Sequence, residues 1–208
     1  MRAVVFDFGM VLSGQPNQAA HAAMIRITGL PFERFEALYW ADRQAYDEGK
    51  MSGIAFWEKL VSDAGLNFGP ADVAELNRLD GLYWTSYNPA MLEWQAALKQ
   101  RGLRTGILSN MGDTVLASIE REFQWLGRFD ALVWSFQHGI AKPDPAIYHL
   151  VLDDLGTKPE ETLFLDDKKV NTDAARDLGM RALEFTTIER LREDLVAAGL
   201  DRELPLPG

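Results

Sequence analysis

The chain contains no cysteine and three histidines in 208 residues. A disulfide framework and a thiolate metal site are therefore excluded. The histidines, His21, His138 and His149, are too scattered to suggest a histidine-rich zinc centre. No apolar run approaches the roughly 18 residues needed to cross a bilayer. The apolar N-terminus is interrupted by Asp7 and followed by no small-residue cleavage site, so it does not read as a secretory signal. Positive charge is also scarce, with 21 Lys and Arg against 31 Asp and Glu, a net charge of −10. Such a balance, with a pI near 4.8, disfavours broad attraction to nucleic acid or to an anionic membrane. It does not exclude a small anionic substrate, because a local cluster of donors outweighs a distant field. The expectation is a cytoplasmic protein, monomer or homodimer, with no nucleic-acid and no membrane partner.

What remains is an ordinary globular composition, 47% hydrophobic and 25% charged. Its length suits one domain, or a core domain carrying an insertion. Ala3 to Phe6 has the length and β-branched content of a buried strand, and it ends on Asp7, followed by Gly9. A turn-rich stretch, Ser13 to Asn17, then opens about seventy residues with no strand pattern. Helices are expected at Ala19 to Thr28, Pro31 to Ala45, Ile54 to Ala64 and Ala71 to about Trp84. Asn88-Pro89 closes this block.

From Pro89 onward strand and helix alternate. Strands are expected at Leu103 to Leu108, Phe129 to Ser135, Thr162 to Leu165 and Arg181 to Phe185, with helices between them and a last helix from about Ile188 to Ala198. Residues 201–208 read as a loose tail. Alternation of this kind predicts an α/β fold with a Rossmann-like parallel sheet wrapped by helices. The first strand must join that sheet, since the helical block offers it no partner. The economical arrangement is a core of residues 1–13 and 89–208, with a helical cap at 14–88 joined through Ser13-Gly14 and Tyr83 to Pro89.

Polar residues follow each core strand. The first strand ends in Asp7, the second in Ser109-Asn110, the third leads to Lys142-Pro143, and the fourth ends in Asp166-Asp167. In an open parallel sheet, the loops beyond the carboxyl ends line the functional crevice. Ordinary roles exist for each residue alone: Asp7, Ser109 or Asn110 could cap a helix, and Lys142 could be a solvated loop lysine. The adjacent pair Asp166-Asp167 is harder to explain, because two carboxylates repel and gain little from capping one helix. A divalent cation would relieve that repulsion, and an all-oxygen donor set favours Mg²⁺.

Four segments now form an ordered set: Asp7-Phe-Gly-Met-Val-Leu12, Leu108-Ser109-Asn110, Gly139-Ile-Ala-Lys142-Pro-Asp-Pro145 and Phe164-Leu-Asp166-Asp167. They resemble the four motifs of the haloacid dehalogenase (HAD) superfamily, and Asn171 to Met180 resembles the helix after its fourth motif. The helical insertion after the first motif is similar to the cap of a large subgroup. The resemblance implies phosphoryl transfer from a small phosphorylated metabolite through an aspartyl-phosphate. Asp7 would be the nucleophile, and Ser109, with the Asn110 backbone N–H, would bind the phosphoryl group. Lys142 would offset the charge of both. Mg²⁺ would be held by Asp7, the backbone carbonyl of Gly9 and Asp166, with Asp167 acting directly or through a water.

One departure stands out. Many HAD phosphatases carry a second Asp two residues after the nucleophile, and here that position is Gly9. General acid–base help is worth about 10²- to 10⁴-fold in rate. Water or a cap residue could take that role, the leaving group could need none, or activity could be weak. The HAD dehalogenases also lack this Asp but use no metal, and two further anions beside a carboxylate nucleophile are hard to reconcile with them. A metal-independent 2-haloacid dehalogenase and a non-catalytic binding protein are the alternatives. Within the cap, Tyr39, Trp40 and Lys50 are candidate contacts to the substrate, set against roles as bundle core for the aromatics and as a solvated side chain for Lys50.

Overall fold

A computed structural model describes residues 1–207. Its first strand, β1 (Ala3–Phe6), is followed by a tight turn over Phe8–Leu12. Cap helices α1 (Gln18–Thr28), α2 (Phe32–Ala41), α3 (Arg43–Asp47), α4 (Gly53–Ala64) and α5 (Pro70–Tyr83) come next. The core resumes with α6 (Pro89–Gln100), β2 (Arg104–Ser109), α7 (Asp113–Glu122), β3 (Ala131–Trp134) and a short α8 (Ser135–His138). It ends with α9 (Pro145–Leu155), β4 (Thr162–Asp166), α10 (Lys169–Asp177), β5 (Arg181–Glu184) and α11 (Ile188–Ala197).

The five strands form one parallel sheet in the order β3-β2-β1-β4-β5. Alternation along β1 sends its side chains into two layers. Val4 and Phe6 join Trp94, Leu98, Ile119 and Leu165 on one side. Ala3 and Val5 join Val151, Phe164 and Ala175 on the other. Central β1 is buried on both faces, which is why it reads as a continuous apolar run. A third apolar cluster, built on Phe35, Tyr39, Phe56, Trp57 and Leu76, holds the cap together by itself. The connections between cap and core run side by side: Asn88 N–H donates to the Leu12 carbonyl (2.8 Å), and Asn17 N–H to that of Tyr83 (2.8 Å).

The structure revises three local expectations. The helix expected from Pro31 to Ala45 breaks at Asp42 (φ −110°, ψ 9°), giving two separate helices, α2 and α3. The strand expected from Phe129 to Ser135 is confined to β3, because Gln124–Arg128 forms a 3-10 turn before it and Ser135 begins α8. The segment 201–207 is no loose tail. Leu204 is 0% exposed and Leu200 3%, so the pair seals one end of the core while Glu203 meets the N-terminal ammonium. No helix of the described residues is long and apolar enough to cross a membrane.

Candidate active site

In this strand order β1 is central, and the chain steps from it to β2 on one side and β4 on the other. The carboxyl ends of these three strands therefore frame the switch point where an open α/β sheet binds ligands. Asp7 leaves β1 with its Oδ1 accepting the Phe8 N–H (2.7 Å). The turn that follows is held in an uncommon shape, with Met10 in the left-handed region (φ 59°) and its N–H donated to Ser13 Oγ (2.8 Å). Such a conformation in a non-glycine residue costs on the order of 1–3 kcal/mol and persists where the surroundings enforce it.

Lys142 enters from the loop after α8. Its ammonium donates to Asp166 Oδ2 (2.6 Å) and to the Leu108 carbonyl (2.8 Å), and lies 3.0 Å from Asp7 Oδ1. Two hydrogen bonds fix its backbone to Asn110: Lys142 N–H to Asn110 Oδ1 (2.8 Å) and Asn110 Nδ2 to the Lys142 carbonyl (2.9 Å). The Asn110 side chain thus clamps the loop carrying Lys142, a role its sequence position did not suggest. Ser109 lines the cavity beside it, and its hydroxyl makes no hydrogen bond among the described residues.

The acidic pair divides its work. Asp166 is 0% exposed, and besides Lys142 it accepts from the Lys168 N–H (2.8 Å) and from Asn171 Nδ2 (2.9 and 3.0 Å). Asp167, less buried, lines the cavity directly. Asn171 was not among the expected site residues; its place five residues past Asp166, in the first turn of α10, is the signal that could have found it. Burial pushes the Asp7 carboxyl up to about 6, with Lys142 opposing and Asp166 reinforcing the shift. Burial likewise pushes Asp167 up, and Asp166 adds to it. For Lys142 burial works against the ammonium, but Asp7 and Asp166 outweigh it and hold its pKa above the ordinary lysine value.

Asp7, Asp166 and Asp167 each offer an oxygen to a group whose atoms lie within 4.8 Å of one another. The buried ammonium of Lys142 pairs with Asp7 and Asp166, while Asp167 beside them has no ion-pair partner among the described residues, so three carboxylates stand against one buried cation. A divalent cation with a preference for hard oxygen donors fits that deficit.

The cavity these groups open into has a volume of about 430 Å³, within the usual range for a small-molecule site. Its cap side is lined by Trp40, Arg43, Gln44, Asp47 and Trp84, and the core adds Met10, Met111 and Val115. Of the three cap residues expected from the sequence, Trp40 reaches the cavity. Tyr39 does not, because its hydroxyl donates to buried Asp80 (2.6 Å) inside the cap cluster. Lys50 does not either, since its side chain is 65% exposed and paired with Glu48. From α3, beyond the break at Asp42, Arg43 and Asp47 line the cavity instead.

The cap is seated closely on the core. Ser135 Oγ donates to the Asp47 carbonyl and accepts from the Met111 N–H (3.0 Å). Thr114 N–H donates to the Tyr46 hydroxyl (3.2 Å), and Gly53 N–H to Asp113 Oδ1 (2.9 Å). The close seating also calls for glycine at several points, Gly112 and Gly49 among them. A Cβ at Gly112 would fall 2.1 Å from the Tyr46 ring, and one at Gly49, where φ is +71°, would fall 2.3 Å from the Phe136 carbonyl oxygen.

The family model for haloacid dehalogenase-like hydrolases matches residues 1–179. The chain belongs to this family. Among HAD relatives, rat (Rattus norvegicus) bifunctional epoxide hydrolase 2 is 42% identical over 59% of the chain, a match spanning only 23% of that longer protein. Phosphatase MT3486 of Mycobacterium tuberculosis is 32% identical over 93% of the chain and 91% of its own length. An (S)-2-haloacid dehalogenase of a Pseudomonas species is 28% identical over 93% of the chain and 88% of its own. A HAD family enzyme of Bacteroides thetaiotaomicron, solved in complex with magnesium and inorganic phosphate, superimposes with a TM-score of 0.76 at 19% identity, covering 92% of this chain and 98% of that one. The HAD fold is thus shared across the chain, while its relatives include both phosphatases and dehalogenases.

The backbone at Gly9, the position two residues after Asp7, does not demand glycine. Gly9 has φ −60°, and a Cβ built on it would meet only Asp7 Oδ2, at 3.9 Å.

Proposed function

We propose that the chain is a Mg²⁺-dependent phosphatase that cleaves a small phosphate monoester through an aspartyl-phosphate on Asp7. The observation that carries this reading is the acidic trio Asp7, Asp166 and Asp167 around one ammonium. Asp7 and Asp167 would hold the ion from the cavity side with the Gly9 carbonyl, and Asp166 from beneath, where it also fixes Lys142 and Asn171. When bound, the ion would supply positive charge that lets a phosphoryl group approach a carboxylate. Lys142 would stabilise charge spreading over the phosphoryl oxygens, and Ser109 would donate to one of them. Asp7, held by the Phe8 N–H, would attack phosphorus in line with the departing oxygen.

Charge on the cap favours a phosphate monoester over a 2-haloacid. The substrate carboxylate of a dehalogenase would need a cation, but Arg43 is already met by Asp80 (3.1 Å) and Asp47 (3.1 Å), and Lys142 by Asp7 and Asp166. Lys168, the remaining cation of the lining, is exposed at the rim, where solvent and salt weaken its pull on an anion. The same argument favours a leaving group with no second anion, such as a polyol or sugar, set between Trp40 and Trp84. Phosphate release from p-nitrophenyl phosphate and a panel of phosphorylated metabolites, with Mg²⁺ or with chelator, tests the reading. Release that depends on Mg²⁺ supports it. Release unchanged in chelator refutes the metal role, and halide release from a 2-haloacid without metal replaces the reading by dehalogenation.

A further inference from the structure

With glycine at position 9, the core side of the cavity carries no acid beside Asp7 to protonate a departing alkoxide. Asp7 and Asp167 are engaged as nucleophile and metal ligand in the reading above, Lys142 is locked between two carboxylates, and the Arg43 guanidinium does not release its proton. Asp47 remains. It closes α3 and lines the same cavity from the cap side. Its Oδ1 accepts from Arg43 Nε (3.1 Å), while Oδ2 makes no hydrogen bond among the described residues.

The carboxyl group is also held in place from both sides. Arg43 is anchored by Asp80 (3.1 and 3.2 Å) and the Tyr39 hydroxyl (2.7 Å). The Asp47 carbonyl is bonded to Ser135, whose hydroxyl also binds Met111, two residues from Ser109. The cap contact that seats Asp47 therefore touches the loop expected to bind the phosphoryl group. Burial raises the tendency of Asp47 to hold a proton, with Arg43 and Lys168 opposing and Asp80 reinforcing.

We propose that Asp47 is the general acid and base of this site, supplying from the cap the carboxyl group absent at Gly9. The inference rests on the phosphatase reading. In the first half-reaction an Asp7 oxygen forms a bond to phosphorus and the ester P–O bond breaks. Its electron pair passes to the leaving oxygen, which takes the Asp47 proton and departs as an alcohol. In the second half-reaction water attacks phosphorus, gives one proton to the Asp47 carboxylate, and releases Asp7 and inorganic phosphate. The cycle regenerates both side chains.

The test compares kcat/KM for wild type and Asp47→Asn on p-nitrophenyl phosphate and glycerol phosphate in saturating Mg²⁺. Loss of a proton donor should cost about 10²- to 10⁴-fold on the alkyl ester, and less than about tenfold on the aryl ester, whose leaving group needs no proton. An equal loss on both esters would overturn the proposal in favour of a positioning role through Arg43, and no loss on the alkyl ester would overturn it outright. A series of aryl and alkyl phosphates with wild type decides the matter even if Asp47→Asn does not fold. Rates nearly independent of leaving-group pKa support a general acid, and a steep dependence refutes one. Wild type inactive on every ester would instead defeat the phosphatase reading and this proposal with it.

Discussion

Replacing Lys142 by Met would keep the length of the side chain while removing the ammonium that lies 3.0 Å from Asp7 and 2.6 Å from Asp166. Asp166 is fully buried and Asp7 is 7% exposed, so neither carboxylate can recover its lost partner from bulk water. Removing one partner of a buried ion pair costs about 3–5 kcal/mol. For a chain of this size each kcal/mol lowers the melting temperature by about 2–4 °C, so the expected loss is about 6–20 °C in chelator. The loss must also depend on pH. Without the ammonium, which opposes the upward shift of Asp7, the folded-state pKa of Asp7 lies still further above its unfolded value, so the folded state binds that proton more tightly. Stability is then lost as pH rises, and the deficit of Lys142→Met should be larger at pH 8 than at pH 5. Adding Asp166→Asn to Lys142→Met should recover part of the loss, because the two sites share one interaction. Thermal melts of the three proteins at both pH values decide the question. A deficit under about 2 °C at pH 8, or one equal at both pH values, would refute the reasoning.

Other consequences follow from the same geometry. Asp7→Asn should abolish phosphate release while leaving the metal-free protein folded. Since the Asp7 pKa rises from 3.8 to about 6 on folding, metal-free wild type should lose stability as pH rises across that interval, and Asp7→Asn should flatten the slope in melts. Asp167→Asn should raise the Mg²⁺ concentration for half-maximal activity by about tenfold or more, with little change in the chelator melt. Asp166→Asn should lower the melt instead, because Lys142 and Asn171 lose their anchor; a metal titration with parallel melts separates the two. Gly112→Ala should cost about 1–3 kcal/mol through overpacking against Tyr46 and impair turnover by displacing the cap. Gly127→Ala, where a Cβ would meet nothing within 4 Å, should leave both the melt and the activity close to wild type.

The parallel sheet, the helical insertion and the strand-end polar residues were legible in the sequence because each rests on local signals. Short continuous apolar runs for the strands, helix caps such as Asn17 and Ser52, and the left-handed glycines Gly29, Gly65 and Gly156 act within a few residues of themselves. Asp7, Ser109, Lys142 and the acidic pair could be grouped because a parallel sheet brings the ends of successive strands to one rim. Within that rim, the assignment of Asp166 to hold Lys142 and Asn171, with Asp167 facing the cavity, depends on side-chain contacts between β4, α10 and the α8–α9 loop. No short-range pattern specifies those contacts.

The cap shows the limit more sharply. Its helices were visible as apolar stripes, but an apolar stripe says only that a face is buried, not against what. Tyr39 and Lys50 stood out by residue type, yet Tyr39 turns into the cap cluster and Lys50 into solvent. Arg43 and Asp47 line the cavity from α3, which Gly49 and Gly112 let settle against the core. The sequence by itself therefore determined the fold class and the core half of the site, since both arise from local propensity and the geometry of a parallel sheet. Tertiary structure alone decided which cap residues line the cavity with Asp7, because that depends on the docking of two separately packed clusters across contacts far apart in the chain.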